Sequence, residues 1–236
     1  MSLTKDQDSD FLDSFRYFGS ACRKTARLCC RLGTFVYYIL YNFQGIDYLC
    51  AMENTPPLVV SELLYRSYAN LAMAHDAVER RLPKYDRTSF IIRARLLKGL
   101  TTGEMHIRSF FDDEKVKLSN GARCVYCGST GNLSVDHVFA KAKGGSDSSD
   151  NLVCCCKTCN SSKRDEDMME WYISKGEFPP LLVLRRYLKL VFQFCETNGI
   201  MNSLIDSLDD SGWPFRLKNI PIEFPAPSEL RLMVTG

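Results

Sequence analysis

A chain of 236 residues with 45% apolar content is long enough to bury one large core or two small ones. Its 30 Lys and Arg against 28 Asp and Glu leave a formal charge of +2, which excludes a chain that holds polyanions by bulk charge; any nucleic-acid surface has to come from local clustering, with modest affinity from phosphates alone. The opening MSLTKDQDSD is polar and acidic, unlike a secretory signal, so the 11 cysteines read as reduced thiols of a cytoplasmic protein rather than as a disulfide framework.

Residues 8–53 carry apolar positions at helical spacing, Phe11, Phe15, Phe18 and Cys22 and then Leu28, Leu32, Phe35, Tyr38 and Ile39, with a break expected at Gly33. The run from Phe35 to Phe43 follows Arg23, Lys24, Arg27 and Arg31, but it has about half the length that spans a bilayer. A buried helix or subunit interface is the preferred reading, with an interfacial membrane helix as the alternative. Pro56 and Pro57 end that block.

A second helix is predicted from Ser61 to Arg80, with Leu64, Tyr68, Leu71, His75 and Val78 on one stripe. His75 on that stripe reads as a core or boundary histidine rather than a ligand. Residues 86–100 form a third helix, whose Arg87, Arg93, Arg95 and Lys98 read as a solvated face, with a nucleic-acid contact as the alternative. A short helix and a linker are expected between Thr101 and Asn120, with Glu104, His106 and Asp112-Asp113-Glu114 on solvated turns. Residues 1–120 are thus expected to be an all-helical domain that docks a partner or substrate.

The stretch from Cys124 to Lys163 organises the rest. It holds Cys124-x-x-Cys127 and Cys156-x-x-Cys159 with 28 residues between the pairs. Two such pairs can wrap four thiolates around one tetrahedral ion, which is a structural zinc signature. Cys154, Cys155 and Cys156 run together, and Cys156 is preferred as the ligand because it completes the Cys-x-x-Cys turn. Cys154 shares its strand face and remains an alternative. Leu133 to Ala140 reads as a strand, Leu152 to Cys155 as its antiparallel partner, and Lys157 onward as a helix across them. The four cysteines do not account for Asp136-His137, Asn151 and Asn160.

In this order and spacing, Asp136-His137, Asn151, Cys156-x-x-Cys159-Asn160 and Lys163 resemble the HNH endonucleases with a ββα-metal fold, in the subgroup that carries a structural zinc. The resemblance implies a fold that is mainly α with a small α+β core, and a nuclease core over residues 121–175. It implies His137 as general base, Asp136 and Asn160 as oxygen ligands of Mg²⁺ or Mn²⁺, and Asn151 as the holder of the loop that orients His137. Zn²⁺ on Cys124, Cys127, Cys156 and Cys159 would be a second, structural metal. DNA is the expected substrate; Lys163, one turn beyond Asn160, is placed to reach a phosphate, with Arg164, Lys141 and Lys143 close by in sequence, the loop pair Lys141 and Lys143 reading equally as solvated lysines. Successive residues on a strand face opposite ways, so a local distortion is expected if Asp136 and His137 are to share one cleft.

Arg164 to Lys175 is predicted to continue as a helix, Leu181 to Glu196 to form a strongly apolar one capped at Asn198-Gly199, and Met201 to Leu208 to add a short one. The proline-punctuated tail from Gly212 should lie extended, so that residues 176–236 pack on the core as helices and tail. The expected function is a metal-dependent DNA endonuclease. The resemblance to compact zinc-braced nucleases implies a setting in bacterial anti-phage defence, in which the helices of residues 11–49 are a candidate docking surface for a partner such as an ATPase. The alternatives are a non-catalytic zinc adaptor for nucleic acid or protein, and a nuclease of restriction or mobile elements.

Overall fold

The computed structural model describes residues 59–107 and 123–233. The helices expected within residues 8–53, the docking surface at 11–49, the break at Pro56-Pro57 and the linker over residues 108–120 lie outside the described residues.

Helix α1 spans Val60–Glu79 and buries Val60, Leu63, Leu64, Leu71 and Ala74 along one stripe. No side chain caps its start. The first amides, which have no partner within the helix, donate instead to a distant loop: Val60 N to Ser203 O at 3.2 Å and Ser61 N to Met201 O at 2.8 Å. Helix α2, Arg87–Thr102, begins where the Asp86 carboxylate accepts from Ser89 N, and it ends at Gly103 with φ +76°, a left-handed stop natural to glycine. Arg87, Arg95 and Lys98 on α2 are exposed, as a solvated face requires. Arg93 instead lies 5.7 Å from the Phe90 ring centroid.

Strands β1 (Leu133–His137) and β2 (Leu152–Cys156) pair antiparallel with Leu133 opposite Cys156 and His137 opposite Leu152. A two-stranded hairpin is marginal alone, and this one is covered by α3, Lys157–Lys163. The predicted helix over 164–175 is broken. Arg164 adopts φ +52°, and the Asp167 side chain then caps a new helix, α4, over Met168–Ser174. Helix α5, Leu181–Thr197, buries Leu181, Leu184, Tyr187, Leu188 and Val191, and it packs against α1. It also reaches the hairpin, since Arg186 donates to Asp150 O at 2.6 Å and Ser149 O at 3.0 Å, just before β2.

Residues 201–208 form no α-helix. One 3₁₀ turn, Ile205–Ser207, stands there, and Val59 bridges to Leu204. The tail is extended between short turns, as its prolines suggest, and its Phe215, Leu217, Ile220 and Leu230 are buried. It also supplies the amide acceptors at the start of α5, with Leu181 N donating to Arg231 O at 2.9 Å. One core holds Val60, Leu64 and Leu71 of α1 together with Cys124, Tyr126, Val153 and Trp171. The α1 residues thus share this core with residues on the far side of position 120. No helix among the described residues is long and apolar enough to cross a membrane.

Phe215 is fully buried, with its ring centroid 5.4 Å from that of Phe139 and 5.2 Å from that of Phe194. Phe215→Ala is expected to cost about 3–5 kcal/mol, measured by urea denaturation. A loss under about 1 kcal/mol would mean that the tail is not part of the folded core.

Candidate metal and catalytic centre

The sulfur atoms of Cys124, Cys127, Cys156 and Cys159 all lie within 4.8 Å of one another. The first pair sits on a turn closed by Gly128 N donating to Cys124 O at 2.8 Å, with Gly128 at φ +78°. Val125 N donates to Cys154 O at 2.9 Å and docks this turn on β2. Cys156 ends β2 and caps α3, so that Cys159, inside the helix, meets it. Amides of Cys127 and Cys159 each donate at 3.4 Å to the sulfur three residues earlier.

These bonds favour thiolate. The Cys159 amide holds the Cys156 thiol below its ordinary range, while burial pushes Cys159 up. Four sulfurs this close cannot all be anionic without a cation among them, and a tetrahedral thiophilic ion such as Zn²⁺ fits the set. Cys154 stands outside the cluster, so the register is that of Cys156. Cys155 faces the other side of β2 and lies 3.5 Å from Ser134 Oγ.

Strand β1 is regular through its end, with Asp136 opposite Val153 and His137 opposite Leu152. The expected distortion is absent, and the two side chains leave on opposite faces. Asp136 is 5% exposed. It accepts from Tyr126 OH at 2.7 Å and pairs with Lys163 Nζ at 3.2 Å. Burial, and then the charge of Asp136, push the Tyr126 phenol well above its ordinary pKa, so it remains a donor. Lys163, expected at a phosphate, is instead 0% exposed, and it also donates to His137 O at 2.9 Å.

Asn160, on α3, turns its amide nitrogen to β1, donating to Val135 O at 3.2 Å and Ser134 Oγ at 3.3 Å. Mg²⁺ or Mn²⁺ between Asp136 and Asn160 does not fit this arrangement. The carboxylate is already neutralised by a buried ammonium and shared with a phenol. Among the described residues, the four cysteines are the one grouping of three or more His, Cys, Asp or Glu ligand atoms.

His137 is half-buried on the outer side of the hairpin, with Nε2 at 2.7 Å from Asp147 Oδ1. Lys141 closes on the other oxygen of Asp147. Between them runs the loop from Val138 to Asp150, fastened by Asn151. The Asn151 amide accepts from Phe139 N at 2.7 Å and donates to Phe139 O at 2.9 Å and Ser146 O at 2.8 Å. The loop is so tight there that a methyl group on Gly145 would fall on the Phe139 carbonyl. Arg164 is exposed and Lys143 half-exposed at the margins. Tyr126, Asp147 and Arg186 escaped the motif reading; Tyr126 had a positional signal, being an aromatic residue between two metal-type cysteines.

Residues 124–168 match the family model described as HNH endonuclease. This segment is recognised on that match as an HNH endonuclease domain, built here as a hairpin and short helix around a four-cysteine cluster. No curated protein and no solved structure matches the chain.

Two outcomes test the centre. Lys163→Met leaves Asp136 buried without its counter-charge and is expected to destabilise the fold by about 3–5 kcal/mol in urea, with much of the loss recovered in Lys163→Met/Asp136→Leu. Elemental analysis should find one zinc per chain, which Cys156→Ser loses, and chelation should lower the melting temperature because metal binding is coupled to folding. Unchanged melting after complete zinc removal would make the cluster structurally idle.

Proposed function

We propose that the chain is an endonuclease that hydrolyses phosphodiester bonds of DNA, with His137 as the general base. The observation that carries this reading is the His137 ring on the outer face of β1, inside the segment that matches the HNH family, next to a loop fastened by the buried Asn151. Phosphodiester hydrolysis requires a water to lose its proton while it attacks phosphorus, and an imidazole does this at neutral pH. Asn151 acts on the ring through the loop rather than on the substrate. Lys143 and Arg164 reach solvent, as do Arg123 and Lys157 of the same segment, and Lys143 and Arg164 are the proposed phosphate contacts. Attack in line with the leaving 3′ oxygen yields 5′-phosphate and 3′-hydroxyl ends.

Asp136 serves chiefly as structure in this arrangement. Its carboxylate anchors Tyr126 and Lys163, and Lys163 in turn holds the His137 carbonyl. A setting in bacterial anti-phage defence, with an ATPase partner, rests on the resemblance of compact zinc-braced nucleases alone.

The test is cleavage of supercoiled plasmid, single-stranded DNA and RNA in parallel, with Mg²⁺ or Mn²⁺ added and without either. His137→Ala is expected to lose about 10²–10⁴-fold in rate while keeping zinc content and melting temperature. Full activity in that variant removes the mechanism. Tight DNA binding without cleavage under every ion condition would make the chain a zinc-braced adaptor.

A further inference from the structure

The Asp147 carboxylate joins two groups at once, His137 Nε2 at 2.7 Å and the Lys141 ammonium. A carboxylate can only accept, so Nε2 of neutral His137 carries the ring proton and Nδ1 carries the lone pair. Lys141, and to a smaller extent His137, hold the Asp147 carboxyl below the ordinary carboxylate range, which keeps it an anion at neutral pH. Its place is set by the same loop contacts that fasten the hairpin: Asn151 grips Ser146 O at 2.8 Å, one residue before Asp147, and Gly145 N donates to Ala140 O at 3.1 Å, one residue before Lys141.

Resting on the nuclease reading above, the geometry points to Asp147 as the positioning residue of the general base, fixing His137 in its Nε2–H tautomer and presenting Nδ1 to the attacking water. Lys141 is then a clamp on Asp147 rather than a phosphate ligand. The proton balance is simple. Nδ1 takes a proton from water, the oxygen so freed bonds to phosphorus, and the bond from phosphorus to the 3′ oxygen breaks, that oxygen taking a proton from solvent. The imidazolium left behind is paired with Asp147 until Nδ1 returns its proton to solvent. The general precedent is that a partner fixing a functional histidine through its second nitrogen sets both tautomer and ring direction.

The chain has three histidines, so the full-length protein with ¹⁵N-labelled histidine gives a readable long-range ¹H–¹⁵N spectrum. His137 is identified by the signals lost in His137→Ala. At about pH 8.5, two units above the ordinary imidazole value, the wild-type ring should show the Nε2–H pattern alone. Asp147→Ala should show mixed tautomers, and Asp147→Asn should restore the wild-type pattern through its amide oxygen. The Asp147 side chain is 61% exposed, so these variants are expected to melt with the wild type.

In plasmid cleavage, Asp147→Ala should lose about 10–100-fold in kcat with KM within about twofold, and Asp147→Asn should fall between. A ring unchanged in Asp147→Ala, or a kcat that holds or rises there, overturns the positioning role alone. A wild type that cuts no nucleic acid overturns the base assignment itself, whatever the ring shows.

Discussion

The ion pair between Lys163 and Asp136 is the interaction on which the rest of the centre depends. Two opposite charges are both taken out of water, a state that is costly unless the geometry satisfies each of them. Here the carboxylate also accepts from Tyr126, which stands between the first two cysteines, and the ammonium also donates to the His137 carbonyl. One pair thus ties the first cysteine turn, the end of β1 and the last turn of α3 to a common point. A shift of any one of these elements would strand a charge in the interior, and that penalty holds the hairpin in a single arrangement.

The strand's two-residue period then divides the labour. Asp136 faces inward and is spent on structure; His137, the next residue, faces outward and stays near solvent. Neither direction could be exchanged without a one-residue slip, which would place the imidazole in the core and the carboxylate outside. The four-cysteine cluster guards against such a slip, because Cys156 is at once the last residue of β2 and the cap of α3. Arg186 of α5 holds the other end of β2 through the carbonyls of Ser149 and Asp150. The hairpin is therefore fixed at both ends by groups that lie outside it.

What the sequence made legible follows from which signals are local. The Cys-x-x-Cys spacing picked the four sulfurs that converge, because that turn is closed by amides within the same few residues. Helical periodicity placed α1 and α5 to within a few residues, since each carries a continuous apolar stripe. The break at Arg164 was not legible: 164–175 has helical composition, and the interruption comes from a left-handed residue followed by the buried Asp167 cap. The burial of Lys163 was hidden for a different reason. A lysine one turn past Asn160 reads as a surface cation until the carboxylate facing it, 27 residues earlier in the chain, is known. Asp147 carries no motif signal, because its contact with His137 comes from a loop conformation fixed at Asn151 and Gly145 and not from a recognisable spacing.

The burial of cations also bears on how such a centre meets its substrate. Few of the cations around the centre are offered to a polyanion, because Lys163, Arg186 and Lys189 are turned into the protein and Lys141 is engaged by Asp147. Each phosphate neutralised releases counterions, and affinity grows with the number of such contacts. With Arg123, Lys143, Lys157 and Arg164 left at the surface, phosphate contacts near the hairpin would be few, and any hold on a polyanion made there would be salt-sensitive. On the proposed nuclease reading the two tasks separate: the hairpin would hold an imidazole in place for chemistry, and most of the hold on the polymer would come from surface farther along the chain. That is a physical reason for a domain of about 45 residues to be carried within a much longer chain.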